Sequence, residues 1–282
     1  MADESTDLAR IRHAAANGDL QARAEQLVRE NRFTIAVVFP IVGALTLVAS
    51  AEGVLFEPLA FNSALLLFGI AVMRLPLLVG VAPLVGRRAG ALILMAALFA
   101  YGIEIVGITT GWPYGEFTYG VALGPMISGV PIALPLLYLP LVLNAYLLVL
   151  LLAGSAVSQR VVRLPATLVV VLAVDAVLDP GAVALGFWSY ADGGVYYGVP
   201  LSNYAGWVLS GAVTVTLLDL AFERIALRER LASCEFLLDD LVSFVVLWGA
   251  INLVYGNWLA VVVAGAFLGG LLRSGRFDFD VM

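Results

Sequence analysis

Long apolar runs separated by short polar connections make up most of the chain after residue 32. A helix needs about 20 mostly apolar residues to cross the roughly 30 Å hydrocarbon core of a bilayer. By this measure the pattern predicts eight spanning helices, at about 33–50, 60–85, 89–110, 130–157, 164–187, 202–222, 240–255 and 257–272. The predicted fold is an all-α integral membrane protein whose polytopic domain covers residues 33–272.

The segments on either side of this domain are polar. Residues 1–32 mix arginine with acidic residues and alanine and contain no apolar run. A cleaved signal peptide would carry an apolar core, so the composition instead indicates a cytoplasmic helical prelude. Residues 273–282 are predicted to form a cytoplasmic tail.

The arginines between the predicted spans fall only in alternate connections. If the N-terminus is cytoplasmic, the inner connections and the tail hold Arg87, Arg88, Arg160, Arg163, Arg224, Arg228, Arg230, Arg273 and Arg276, and the outer connections hold no arginine. This asymmetry follows the positive-inside rule and predicts a multi-pass protein of the cell membrane with both termini in the cytoplasm. The last two spans test the count, because Tyr255 to Asn257 must form the whole turn between them.

Composition excludes several classes of function. With 62% hydrophobic and 13% charged residues, a soluble core is ruled out. A single cysteine, Cys234, allows no internal disulfide, and a single histidine, His13, argues against a histidine metal site, a haem site or a Ser-His-Asp triad. All 15 basic residues are arginine, so no lysine is present to form a retinal Schiff base.

The charge balance is acidic, with a net charge of -6 and a pI of about 4.8. Dense carboxylates keep a surface hydrated at high salt, so the balance and the missing lysine suggest a halophile. A GC-rich codon bias that favours arginine is the open alternative. No nucleic-acid partner is expected for such a chain.

Two outer loops are rich in aromatic residues, GWPYGEFTYG from Gly111 and GFWSYADGGVYYGVPLSNYAGW from Gly186. Residues 112–116 align with 188–192, and 119–123 align with 197–201 after a two-residue insertion. Each loop also follows a span that carries a carboxylate, Glu104 or Asp179. The match suggests a duplicated helix-loop-helix unit. Chance similarity, and a mere anchoring of these rings at the membrane surface, remain the alternatives.

Five ionisable residues lie inside predicted spans, where a charge costs about 2.5–3.5 kcal/mol and is seldom without a role. They are Arg74, Glu104, Asp175, Asp179 and Asp219. By depth the first four, together with Asn144, can converge on one pocket roofed by the aromatic loops. Two structural alternatives stay open, an Arg74–Asp175 ion pair that only fixes helix packing and a structural Asp219 near the inner surface.

Four motifs together resemble a known family, the membrane carotenoid hydratases of the CruF type. They lie at Glu104 to Tyr119, Leu123 to Pro125, Val174 to Pro180 and Tyr196 to Trp207, and the resemblance covers about residues 35–272. It implies addition of water to the terminal isopentenyl double bonds of a long carotenoid. With a halophilic source, the implied substrate is the C50 carotenoid bisanhydrobacterioruberin and the product is bacterioruberin.

Such a hydration needs a strong acid, a group that stabilises a cation, and water, and it needs neither a redox cofactor nor a metal. Burial at membrane depth disfavours the charged form of a carboxyl group, so it can stay protonated at neutral pH. We assign Asp179 as proton donor, Glu104 to water, and Asp175 as a carboxylate kept ionised by Arg74. Depth alone does not decide between Asp179 and Glu104 as donor. The predicted substrate-binding residues are Trp112, Tyr114, Glu116, Tyr119, Asn144, Trp188, Tyr190, Tyr197, Asn203 and Trp207.

Two other functions remain in consideration. The DxxxD spacing of Asp175 and Asp179 resembles the Mg²⁺-binding aspartates of membrane prenyltransferases, although the other acidic pair, Asp219 and Glu223, is predicted at the opposite membrane face. A transporter or a carotenoid-binding protein would use the buried charges as a proton relay or for packing. The expected partners are a long carotenoid, the lipid bilayer and other membrane enzymes of the carotenoid pathway.

Overall fold

The computed structural model describes residues 18–279, so His13, Arg10 and Arg12 of the predicted prelude lie outside the described residues. Within that range the chain forms ten helices: α1 (18–30), α2 (Phe39–Ala51), α3 (Ser63–Val81), α4 (Arg87–Thr110), α5 (Leu134–Ala153), α6 (Arg160–Ala184), α7 (Leu201–Ala221), α8 (Arg224–Ser233), α9 (Asp239–Val254) and α10 (Trp258–Arg273). A π-helical turn, Thr34–Val38, precedes α2. Short strands lie in the two aromatic loops and between them: β1 (Phe117–Tyr119), β2 (Met126–Ile127), β3 (Val130–Pro131) and β4 (Trp188–Tyr190).

Each of the eight predicted spans contains a helix, which confirms the all-α membrane fold. Six helical segments are long and apolar enough to cross a membrane: Thr34–Ala51, Ser63–Leu84, Arg87–Thr110, Leu134–Val157, Arg160–Ala184 and Leu201–Ala221. Helices α9 and α10 have 16 residues each, about 24 Å at 1.5 Å per residue, and are shorter than the bilayer core. The number of crossings and the domain boundaries at residues 32 and 272 stay predictions.

The arginine-rich connections gather at one end of the helix bundle. There Arg230 Nε donates to the carbonyl of Gly80 at 2.7 Å, and Arg276 Nη1 donates to that of Cys234 at 3.0 Å. At the other end, the Tyr255 hydroxyl donates to Glu52 Oε1 at 2.9 Å. The short Tyr255–Asn257 turn therefore lies at the same end of the bundle as the predicted outer loops. This end is the one expected if successive helices cross the membrane in opposite directions.

Asp219 belongs to a buried ionic cluster at the arginine-rich end. Its carboxylate accepts from Arg160 Nε, Arg163 Nε and the Tyr146 hydroxyl, each at 2.7 Å. A carboxylate bound by two guanidinium groups and a hydroxyl is stabilised in its charged form. Asp219 thus joins α5, α6 and α7, in line with the structural alternative for this residue.

Candidate active site

The two aromatic loops pair with each other through a short antiparallel ribbon. Phe117 lies opposite Tyr190, and Tyr119 lies opposite Trp188. Next to the ribbon, the amide of Ala191 donates to the Glu116 carbonyl at 2.9 Å. The sequence alignment predicts that Trp112 and Trp188 hold equivalent positions in two copies of one unit, and the structure places them differently. Trp112 follows the end of α4 with 59% of its surface exposed, whereas Trp188 is part of β4. The two loops are therefore not equivalent at these positions.

The first loop is held close to the helices by a narrow slot for Tyr114. A Cβ atom on Gly107 of α4 would lie 2.8 Å from the Tyr114 ring, and one on Gly206 of α7 would lie 2.2 Å from it. The Ser202 hydroxyl also donates to the Tyr114 carbonyl at 3.1 Å. Glycine at both helix positions lets the aromatic ring enter between α4 and α7.

A cavity of about 120 Å³ lies beneath the paired loops. We call it the acid cavity. By the same measure, one water molecule needs roughly 10–15 Å³. The space is sufficient for water and a small hydrocarbon end. Carboxyl, amide, hydroxyl, aromatic and leucine side chains form its wall: Glu104, Tyr114, Phe117, Tyr119, Leu123, Leu134, Leu137, Tyr138, Leu141, Leu178, Asp179, Trp188, Tyr190, Asn203, Trp207 and Ser210.

Asp179 and Asp175 form a carboxyl pair on one face of α6, where residues four apart lie one turn from each other. Asn203 Nδ2 of α7 donates to Oδ2 of both groups, at 2.5 Å to Asp179 and 3.1 Å to Asp175. The Tyr190 hydroxyl donates to Asp179 Oδ2 at 3.0 Å. Asp175 lies behind Asp179, is fully buried, and has no partner for Oδ1 within residues 18–279. Only Asp179 of the pair reaches the acid cavity.

Glu104 enters the same cavity from α4. Its Oε1 accepts from the Tyr119 hydroxyl at 2.6 Å. Burial raises the pKa of Tyr119 and of Tyr190 well above the ordinary value, so both hydroxyls stay protonated and act as donors. The loops thus supply one hydroxyl to each acid of the cavity.

Arg74 does not join these carboxyl groups, so the predicted Arg74–Asp175 pair is wrong. Its Nη1 instead lies 2.6 Å from Asp240 Oδ1, and Asn144 Nδ2 donates to Asp240 Oδ2 at 2.6 Å. The reason is helix packing: α3 lies against α5 and α9, whereas Asp175 on α6 faces α7. Asp240 is the second residue of α9, at the edge of a predicted span, and no motif in the sequence indicates its partner.

The other predicted binding residues divide into two groups. Six of them line the acid cavity: Tyr114, Tyr119, Trp188, Tyr190, Asn203 and Trp207. Four do not. Trp112 and Glu116 are exposed, Asn144 binds Asp240, and the Tyr197 hydroxyl accepts from the Leu259 amide at 3.1 Å.

Sequence reasoning missed part of the aromatic wall. Tyr138 of α5 lies 5.4 Å from Trp207, measured between ring centroids, and donates to Thr214 Oγ1 at 3.0 Å. Phe117 contacts the rings of Tyr119 and Tyr190 at centroid distances of 5.8 and 6.0 Å. Tyr138 stands alone in an apolar span, so no motif marked it. Phe117 lies in the aromatic-rich segment GWPYGEFTYG, and this location is the signal that indicates it as part of the wall.

The distribution of charge distinguishes the candidate functions. Within residues 18–279, none of Glu104, Asp175 and Asp179 forms an ion pair, and Asp219, on which the prenyltransferase reading depends, is bound by arginines at the other end. A Mg²⁺-diphosphate site needs two acidic clusters that face one cavity, with basic residues nearby. The acid cavity instead combines protonatable groups with aromatic walls.

Comparison with known proteins identifies a family and a related enzyme. Residues 61–271 match the family described as carotenoid biosynthesis protein. Over 264 residues the chain is 60% identical to bisanhydrobacterioruberin hydratase of Haloarcula japonica, and the alignment covers 93% of this chain and 90% of that relative. No solved structure matches the chain.

Proposed function

This chain belongs to the carotenoid biosynthesis protein family, and on that basis we propose that it is a membrane carotenoid hydratase working at the acid cavity. The proposed reaction adds water to the terminal isopentenyl double bonds of a C50 carotenoid and converts bisanhydrobacterioruberin into bacterioruberin. Identity of 60% to a hydratase named for that substrate supports the choice. The observation that carries the proposal is that Asp179 and Glu104, from two different helices, face one cavity with aromatic walls.

Asp179 is the proposed proton donor. Both hydrogen bonds to its carboxyl group end on Oδ2, which leaves Oδ1 to carry the proton. The π electrons of the alkene take this proton at the less substituted carbon and leave a tertiary cation. The negative charge then falls on the Asp179–Asp175 pair, where Asn203 donates to both groups. Asp175 does not reach the cavity and acts here as a positioning residue.

Glu104 is the proposed base for water. The hydrogen bond donated by Tyr119 stabilises the ionised form of Glu104, and this carboxylate accepts a proton as the water oxygen attacks the cation. The product is a tertiary alcohol, and the sum of the two steps is addition of one water molecule. Return of the proton from Glu104 to Asp179 through water restores the starting state. The different partners of the two acids thus set their different roles.

The aromatic wall stabilises the cation between these two steps. The rings of Tyr119 and Trp188 have centroids 6.3 Å apart, and Phe117 and Tyr190 close the same side. The negative face of an aromatic ring attracts a cation, and the effect grows where water is excluded. Leucine side chains also line the cavity, among them Leu134, Leu137, Leu141 and Leu178, and they suit a hydrocarbon.

Isotope labelling tests this proposal against a carrier or a carotenoid-binding protein. Purified protein in lipid nanodiscs is given bisanhydrobacterioruberin in H₂¹⁸O, and in a parallel sample in ordinary water under ¹⁸O₂. We expect the new hydroxyl to carry label from water only, with or without a chelator. Label from O₂, dependence on a metal, or unchanged carotenoid with a well-folded protein would contradict the proposal.

A further inference from the structure

A second, larger cavity lies beside the acid cavity. Its volume is about 500 Å³, and it is formed by α2, α3, α9 and the loop between α2 and α3. We call it the lipid bay. Typical ligand pockets measure roughly 300–1,000 Å³, so the bay has the size of a ligand site, whereas the acid cavity alone is too small for a carotenoid.

The two cavities share one wall. Leu123, Leu137, Leu141, Leu178 and Trp188 line both of them. Trp188 also contacts Tyr119 in the acid cavity and Phe187 in the bay, with ring centroids at 6.3 and 6.4 Å. A linear molecule in the bay can therefore reach the acids by passing these apolar side chains, without crossing a polar layer.

The bay is open toward the membrane side of the bundle. Val42 of α2 and Leu65 and Phe68 of α3 line it and are 53%, 56% and 60% exposed. In a bilayer these residues face lipid tails. Arg74 is the charged residue of the described lining, and its charge is neutralised by Asp240, with Nη1 2.6 Å from Oδ1. The lining therefore suits a long hydrocarbon that arrives through the lipid.

We propose that the lipid bay holds the conjugated chain of the carotenoid while its end group lies in the acid cavity. This inference rests on the proposed function, and it assigns the substrate chain to a site distinct from the acids. The carotenoid enters between α2 and α3 and threads its end past Trp188. Affinity then comes from the bay, and the chemistry comes from the acid cavity.

Gly69 of α3 provides a test, because it lines the bay and a Cβ atom there would meet only Phe39 Cε1, at 3.9 Å. Gly69→Leu fills the bay without touching an acid. Gly102→Leu on α4 is the matched control, since Gly102 lies outside both linings and its Cβ would meet nothing within 4 Å. Thr46→Phe, on the α2 side of the bay, is a second filling variant.

Binding of bisanhydrobacterioruberin to each purified variant in nanodiscs is measured from the carotenoid absorption that stays with the protein. We expect Gly69→Leu and Thr46→Phe to weaken binding at least about tenfold, or ~1.4 kcal/mol. Gly102→Leu and Asp179→Asn should bind like the wild type. In turnover assays the filling variants should raise KM more than they lower kcat.

The outcomes separate the two proposals. Wild-type binding and KM in both folded filling variants would overturn the bay assignment and leave the hydratase proposal intact. Binding that depends on Gly69 but leads to no hydration by the wild type would overturn the hydratase proposal and support the bay. Thermal unfolding of each variant shows that a loss of binding does not come from a loss of fold.

Discussion

Asp179 and Glu104 are similar acids with different surroundings. Asp179 shares Asn203 with a second carboxyl group, while Glu104 has only the Tyr119 hydroxyl as a side-chain partner within the described residues. Two adjacent carboxyl groups away from any cation cannot both be charged at low cost, so in the proposed mechanism Asp175 keeps its proton when Asp179 donates its own. In the proposed mechanism, this asymmetry makes Asp179 the donor and Glu104 the base.

In the proposed mechanism Tyr119 has two roles that can be separated, a ring that faces the cation and a hydroxyl that binds Glu104. Tyr119→Phe keeps the ring, whereas Tyr119→Leu removes both features. A desolvated cation–π contact contributes about 2 kcal/mol, which corresponds to roughly 30-fold in rate. We therefore expect kcat of Tyr119→Leu to fall about 10–30-fold below that of Tyr119→Phe. Equal rates for the two variants would show that the ring does not stabilise the cation.

At the scale of elements, the Arg74–Asp240 pair joins α3 to α9, and Asn144 adds α5. Removing one partner of a buried ion pair costs about 3–5 kcal/mol, because the other charge is left unpaired. Arg74→Gln and Asp240→Asn should each lower the unfolding temperature in detergent. The double variant should recover most of the loss and keep most of the hydration activity. A stable double variant without activity would show that Arg74 takes part in catalysis and not only in helix packing.

The slot for Tyr114 gives a second test at this scale. Gly206→Ala places a methyl group 2.2 Å from the ring, and overpacking of this kind costs about 1–3 kcal/mol. We expect lower thermal stability and reduced hydration, with recovery of stability in Gly206→Ala combined with Tyr114→Leu. Gly102→Ala, which meets open space, should not destabilise the protein. If Gly206→Ala is as stable as Gly102→Ala, the slot is not tightly packed.

The sequence predicted the helices better than it predicted their contacts. Hydropathy specifies where a spanning helix lies, because an uncompensated charge or backbone group in lipid costs free energy. For the same reason, the acids inside the spans, Glu104, Asp175 and Asp179, are candidates for a function. It does not specify which helix faces which. Arg74 was therefore assigned to Asp175 when its partner is Asp240. The register of Phe117–Tyr119 against Trp188–Tyr190 depends on where α4 and α6 end, which local similarity could not supply.

At the scale of the whole molecule, the arginines gather at one end and the acid cavity lies toward the other. By the positive-inside rule, we expect the arginine-rich end to lie in the cytoplasm. Reporter tags at both termini should thus be cytoplasmic, and tags inserted beside Glu116 or Asp192 should face outward. A terminus found outside would remove one crossing, and it would indicate that the short helices α9 and α10 do not both span the membrane.

If Asp179 and Glu104, in the outer half of the bundle, perform the hydration, neutral substitutions of these two acids should abolish it. Asp179→Asn and Glu104→Gln keep size and most hydrogen bonding but remove the titrating group. General acid or base catalysis contributes about 10²–10⁴-fold. Asp192→Asn, an exposed carboxylate outside the acid cavity, is the matched control. With equal protein levels and unfolding temperatures, kcat should fall at least about 100-fold in the first two variants and stay at the wild-type value in the third. Near wild-type conversion of bisanhydrobacterioruberin by both Asp179→Asn and Glu104→Gln would show that these two acids do not perform the hydration.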